Sequence, residues 1–175
     1  MLIDLGKIMS SKDKVQNIEA PLELADFSLD GSTYSFVSKN PVHLSITNLG
    51  NRKVNVVGET KLSLNIPCNR CLEDVETFFD IKVSKNLDFN DTDKDRIKEL
   101  DEANYICGNN LDVDQMIYDE IVIEFPLSVL CKEDCKGLCK VCGTNKNHNS
   151  CDCDDTVLDP RMSVIRDIFN NFKEV

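Results

Sequence analysis

Six cysteines fall between residues 131 and 153 of this 175-residue chain, in a stretch running to Asp155 whose only large aliphatic side chains are Leu138 and Val141. So little apolar surface cannot offset the entropy of ordering the backbone, so something other than a hydrophobic core must organise this segment. The full set of nine cysteines, at 68, 71, 107, 131, 135, 139, 142, 151 and 153, is odd in number. The opening residues carry Asp4 and Lys7 among their apolar neighbours, which interrupts the apolar run a secretory signal needs. The expectation is a cytoplasmic chain, in a reducing compartment where clustered thiols bind metal rather than pair as disulfides. No run of 18 apolar residues exists, so no membrane partner is expected.

The strongest metal signal is Cys139-Lys140-Val141-Cys142-Gly143 followed by Cys151-Asp152-Cys153. Two thiols with two residues between them can grip one face of a tetrahedral ion, with backbone N–H groups aimed at the sulfurs. Gly143 supplies a permissive backbone just after the second thiol. Cys151 and Cys153 complete a four-thiolate cage with a short loop, and a closed shell of that kind is structural, not catalytic. Cys68, Cys71, Cys131 and Cys135 could form a second cage, clipping together parts of the chain some 60 residues apart. One or two Zn²⁺ are expected. Cys135 entering the C-terminal cage is an alternative pairing. His148 could replace one thiol, against the plainer reading of an exposed loop histidine. His43 is expected on the outer face of a strand, and Cys107 as a buried thiol.

The rival chemistry for Cys68-x-x-Cys71 is thiol–disulfide exchange, which wants the first thiol at a helix N-terminus. The residues from Asp74 onward read as a strand instead. The cysteine spacings do not match the usual iron–sulfur patterns. No glycine-rich phosphate loop or nucleophile elbow is present, and two scattered histidines offer little general-base capacity. The chain is therefore read as non-enzymatic.

Before the cysteine-rich stretch the pattern alternates with period two. Val42, Leu44 and Ile46 lead to a turn at residues 49–52. Val54 and Val56 follow, a bulge is expected at Val57-Gly58, and Leu62, Leu64 and Ile66 run into Pro67-Cys68. Val75, Thr77, Phe79, Ile81 and Val83 alternate again, and Thr33–Val37 suits another strand. Asp112 and Gln115 have capping-box spacing ahead of a helix over residues 112–125, with Val113, Met116, Ile117, Ile121 and Phe125 as its buried stripe and Pro126 as its end. Asp88–Glu102 is an acidic, solvated loop. Asp159-Pro160 opens a last helix, with Met162, Ile165, Phe169 and Phe172 on the face packed against the sheet. The fold class is α+β. An antiparallel sheet that could close into a barrel, with the central helix, forms a domain over 1–130. The zinc segment and C-terminal helix occupy 131–175.

The net charge is −11, which opposes long-range attraction to a phosphate backbone and suits a basic protein partner better. Lys132, Lys136, Lys140 and Lys146 outnumber Glu133 and Asp134 around the metal segment. They are candidate RNA contacts, or they balance thiolate charge.

Ile66-Pro67-Cys68-Asn69-Arg70-Cys71-Leu72-Glu73 resembles the Cys-x-Arg-Cys-Leu signature of the YceD family. Residues Leu130 to Asn145, then Cys151-x-Cys153 and Asp159-Pro160-Arg161, are similar to that family's C-terminal Cys-rich segment. The opening Leu2-Ile3-Asp4-Leu5 and the acidic helix before Pro126 also fit. One departure is Lys140, where many members have Pro; it alters the turn and leaves the ligand set intact. The resemblance implies an accessory role in ribosome biogenesis, supporting accumulation of large-subunit 23S ribosomal RNA, without an agreed catalytic activity. With the acidic charge, it implies that a basic ribosomal protein or a pre-ribosomal large-subunit particle is the partner.

Overall fold

The computed structural model describes residues 1–10, 15–89 and 104–153. The chain divides into two compact units, Met1–Ile66 with Asp74–Val129, and Pro67–Glu73 with Leu130–Val175.

The first unit is built on an antiparallel sheet of β2 (Val15–Ala20), β3 (Asp26–Leu29), β4 (Ser32–Lys39), β5 (Val42–Gly50), β6 (Lys53–Pro67) and β7 (Asp74–Asp88). The β5–β6 hairpin turns at Asn51-Arg52, where φ is 51° and 58°, as a two-residue turn matched to strand twist requires. Registers show β5 and β4 lying end to end along β6, from Asn48↔Val54 through His43↔Glu59 to Lys39↔Leu62 and Phe36↔Leu64. The break between them falls at Pro41, which has no N–H for a ladder. Asn40 bridges it, donating to the Lys61 carbonyl at 3.0 Å and accepting from the Thr60 hydroxyl at 2.9 Å. β2 and β3 pair with β5 and β4 in the same end-to-end way.

The sheet is thus effectively four strands across: β2/β3, β4/β5, β6, and β7 paired to β6. The barrel expected from the sequence does not form, because so narrow a sheet cannot curl around a filled interior. A helix covers one face instead. This is α2 (Val113–Glu124), which buries Val113, Met116, Ile117 and Ile121 into one core with Leu44, Ile46, Leu64, Ile81 and Val83. Phe125, the last residue of the expected stripe, is half-buried and stacks on Phe27 with ring centroids 5.6 Å apart. Asp112 caps α2 by accepting from the backbone N–H of Asp114 and Gln115. Gln115 donates to Asp119 at 2.8 Å rather than reaching back, so half of the expected capping box is made.

The bulge expected at Val57-Gly58 is also absent. Pairing runs unbroken through Ser45↔Val57, Leu44↔Gly58 and His43↔Glu59, and the register shifts nearer the turn, between Asn48 and Gly50. Gly58 and Thr60 occupy inner-face positions, between Val56 and Leu62, and Val57 faces outward. Glycine stands there because a Cβ would meet Leu44 Cδ2 at 2.7 Å. His43 lies exposed on β5, as expected. Asn48 is buried, but its amide donates to the carbonyls of Ile8 and Met9, each at 3.1 Å, at the end of α1 (Gly6–Met9).

A second small sheet has the order β1-β9-β8, from Leu2–Asp4, Asn110–Asp112 and Ile106–Cys107. Cys107 sits on it exposed, which corrects the expectation of a buried thiol. Among the described residues no helix is long and apolar enough to cross a membrane. The expected C-terminal helix after Asp159, and most of the acidic stretch, lie outside the described residues.

The second unit has another kind of interior. Among its described residues the buried side chains are Cys68, Cys71, Cys135 and Cys139. Val141 is 60% exposed and Leu72 64%.

Candidate metal centre

Two turns of the second unit share one backbone pattern. In the first, Leu72 N–H donates to the Cys68 carbonyl at 2.9 Å and Cys68 N–H to the Glu73 carbonyl at 2.8 Å. In the other, Gly143 N–H donates to the Cys139 carbonyl at 2.9 Å and Cys139 N–H to the Thr144 carbonyl at 2.8 Å. The residue after the second cysteine is left-handed in both, Leu72 at φ 60° and Gly143 at φ 74°. Each turn points its two sulfurs to the same side, and Arg70 N–H lies 3.5 Å from Cys68 Sγ.

Each pair meets a second pair. The sulfurs of Cys68, Cys71, Cys131 and Cys135 lie within 4.8 Å of one another, and so do those of Cys139, Cys142, Cys151 and Cys153. In the first cluster Cys68 Sγ is 3.9 Å from Cys135 Sγ, and Cys71 Sγ is 3.5 Å from Cys131 Sγ. A tetrahedral ion with metal–sulfur bonds of about 2.3 Å spaces its sulfurs about 3.8 Å apart. The donor set and its spacing therefore fit a metal ion in each cluster. None of the nine cysteines is paired in a disulfide.

The thiols do not ionise alike. Burial opposes ionisation of Cys68, but the N–H groups of Arg70, Cys131 and Cys71 outweigh it and bring the thiol to about 6. The Glu73 N–H favours ionised Cys71, yet burial and the sulfurs of Cys131, Cys68 and Cys135 push it up to about 12. Cys135 is lowered, first by the Asn147 amide, and Cys131 is raised, first by burial. The second cluster divides likewise. The Thr144 hydroxyl and N–H bring Cys142 to about 6, and the N–H groups of Cys142 and Val141 lower Cys139. The Cys142 sulfur pushes Cys153 to about 12; Cys151 gains from the Cys153 N–H but is raised overall by Cys139 and Cys142. In each cluster two thiols ionise readily and two resist, because four thiolates this close repel one another. A divalent cation at the centre would remove that conflict.

A family model described as large ribosomal RNA subunit accumulation protein YceD matches residues 56–169, spanning both clusters. The chain belongs to the YceD family.

Curated relatives of this YceD chain include an uncharacterised protein of Mycobacterium tuberculosis, 33% identical over 76 residues, which are 43% of this chain and 37% of that protein. One of Mycobacterium leprae is 30% identical over 78 residues, 45% of this chain and 36% of its own length. The chloroplastic large ribosomal RNA subunit accumulation protein YCED homolog 1 of Arabidopsis thaliana is 37% identical over 43 residues, 25% of this chain and 13% of that one. The matched stretch thus covers well under half the length of these relatives. No solved structure matches the chain.

In the YceD chain the cysteines fall into the two groups of four that the spacing suggested, and Cys135 joins the first group, not the C-terminal one. His148 lies outside both groups and pairs with Glu73, its Nε2 2.6 Å from Oε1. Cys71 is followed by β7 rather than by the helix that a redox thiol pair wants. Lys132, Lys136 and Lys140 are exposed.

Sequence reasoning missed the residues around the first cluster. Arg70 donates to the Cys135 carbonyl at 3.0 Å and accepts through its own carbonyl from Leu138 N–H at 3.0 Å. Gly137 passes so near that a Cβ would lie 2.9 Å from the Arg70 carbonyl oxygen, at φ +73°. Glu73 accepts from Asn145 at 3.1 Å and lies 3.5 Å from Cys71 Sγ. Asn147 donates to Cys135 Sγ at 3.2 Å. The asparagines Asn145, Asn147 and Asn149 between the C-terminal thiol pairs were the one available signal, because amides suit tight loops and can donate to sulfur.

Proposed function

We propose that this protein is a zinc-organised, non-enzymatic accessory factor of the cytoplasm that supports accumulation of large-subunit 23S ribosomal RNA through a basic ribosomal protein or a pre-ribosomal particle. The observation that carries the reading is the pair of four-sulfur clusters, each with its sulfurs within 4.8 Å of one another, which supply the buried side chains of the second unit among its described residues. Four thiolates close the shell of Zn²⁺ and leave no position for substrate, so the ion's role is structural. Family membership supplies the link to ribosomal RNA. The −11 charge favours a basic protein over bare RNA as the direct contact.

The test is metal content and capture. Protein purified without chelator should carry about two zinc ions per chain. Tagged protein should recover a basic ribosomal protein, in a complex that weakens as salt rises. Recovery of naked ribosomal RNA at physiological salt, without ribosomal protein, would overturn the partner. Disulfide reductase activity that disappears in Cys68→Ser would favour the redox reading instead.

Direct RNA contact is a second reading. It draws support from a hollow of about 480 Å³ lined by Lys136, Lys146, Asn147, His148, Asn149 and Ser150, whose cations and amides suit phosphate oxygens. The double variant Lys136→Glu, Lys140→Glu separates the two: it abolishes RNA binding on this reading and leaves capture of the protein partner on the first.

A further inference from the structure

The loop between Cys142 and Cys151 belongs by sequence to the second cluster, yet its side chains finish the surroundings of the first. Asn147 Nδ2 donates to Cys135 Sγ at 3.2 Å, and its Oδ1 accepts from Lys136 N–H at 2.9 Å. Asn145 Oδ1 accepts from Asn147 N–H at 2.9 Å, while Asn145 Nδ2 reaches Glu73 Oε1 at 3.1 Å. His148 holds the same carboxylate oxygen, and Glu73 Oε2 faces Cys71 Sγ. Backbone contacts seat the loop: Lys146 N–H donates to the Gly137 carbonyl at 2.9 Å, and Leu138 bridges Asn145. Two of the first cluster's four sulfurs, Cys71 and Cys135, thus have an outer partner that depends on this loop. Both ends of the loop are tied by thiols of the second cluster.

We propose that the two metal sites are coupled through residues 144–149, with Asn147 as the positioning residue that stabilises the Cys135 thiolate. Filling the second site fixes the loop, and the fixed loop delivers the amide to Cys135 and braces Glu73 against Cys71. Emptying the second site lets the loop depart and leaves the first site with fewer donors. Outer-shell partners of metal ligands typically change affinity by 10- to 100-fold. Coupling of binding is reciprocal, so the first ion must strengthen the second by the same factor.

The proposal rests on the zinc reading above. The test is competition of the full-length protein for Zn²⁺ against a chromophoric chelator, with the two steps assigned by a Cys68→Ser, Cys71→Ser chain that keeps the second site alone. Asn147→Ala should weaken the first site about 10- to 100-fold. Asn147→Asp keeps the acceptor for Lys136 N–H but loses the N–H donor to sulfur, so it should weaken the site at least as much. Cys142→Ser, Cys151→Ser should weaken the first site by a similar factor. A first-site affinity unchanged by Cys142→Ser, Cys151→Ser overturns the coupling, one unchanged by both Asn147 variants overturns the role of Asn147, and either result leaves the zinc reading standing. Wild-type protein that takes no Zn²⁺ from the chelator overturns the zinc reading itself.

Discussion

The two sulfur clusters begin with the same turn and differ in almost everything that follows it. The first reaches from Cys71 to Cys131, 60 residues along the chain, and buries three of its four cysteines. The second is contained within residues 139–153 and leaves Cys142 exposed. In an unfolded chain, closing the longer loop costs about 2 kcal/mol more, because closure entropy grows with the logarithm of length. The local cluster can therefore form early and alone. The distant one takes its first pair from the Pro67–Glu73 turn and depends on the Asn145–His148 loop to complete its surroundings. The turns differ too. Gly143 adopts φ 74° without strain, whereas Leu72 holds φ 60° with a full side chain. A left-handed leucine costs about 1–2 kcal/mol, so other interactions must hold the first turn in shape.

The strongest challenge to this contrast is removal of metal. Structural Zn²⁺ contributes on the order of 10 kcal/mol in small thiolate sites. Chelation should therefore melt the second unit, read as protease cleavage between residues 130 and 153, and leave the sheet unit folded. Loss of both units together would mean that the sheet has no independent stability. The converse perturbation is Ile117→Ala, which empties part of a fully buried core site. It should lower the stability of the sheet unit by about 2–5 kcal/mol in denaturant unfolding, with zinc stoichiometry unchanged.

A finer probe is Gly137→Ala, which combines φ +73° with a Cβ 2.9 Å from the Arg70 carbonyl. Its expected effect is a loss of about 2 kcal/mol from left-handed strain alone, seen as weaker zinc retention at the first site and not at the second. The smallest effect has the opposite sign. Leu72→Gly should strengthen the first site by about 1 kcal/mol, because glycine takes the left-handed conformation without penalty. Gly143→Leu should weaken the second by a similar amount.

Proton release sharpens the contrast from another side. Cys68 and Cys142 lie at about 6 and Cys71 and Cys153 at about 12, with Cys135 and Cys139 lowered and Cys131 and Cys151 raised. Above pH 7 Cys68 and Cys142 are already ionised, while Cys71 and Cys153 are not. Binding at pH 8 should release fewer than four protons per ion from either site, and affinity should fall as pH drops through 6 and Cys68 and Cys142 protonate as well. Calorimetry in buffers of different ionisation enthalpy measures the release; four protons per ion would mean that the apo thiols are all un-ionised.

Much of this was legible beforehand. Period two in Val42–Ile46, Leu62–Ile66 and Val75–Val83 marks strands because side chains alternate across a sheet, and those residues do face inward. The helix over Val113–Glu124 was legible from its 3.6-residue stripe and its cap. Among the elements that escaped, β1, β3, β8, β9 and α1 are two to four residues long, too short for a period to show, and in β2 the apolar residues Val15, Ile18 and Ala20 do not keep a strict alternation. Gly58 was misread as a bulge because glycine in a strand signals either a bulge or a close neighbour, and only the position of Leu44 decides between them.

By itself the sequence determined that residues 131–153 must be ordered by something other than burial, because a count of apolar side chains and thiols is a property of composition. It also determined which turns could hold sulfur, since Cys-x-x-Cys spacing is local. Only the tertiary structure decided that the sheet stays open, because closure depends on how many strands lie abreast. Only it decided that the asparagine loop of one cluster serves the other, because a hydrogen bond between Asn147 and Cys135 depends on where two turns come to rest and not on either turn alone.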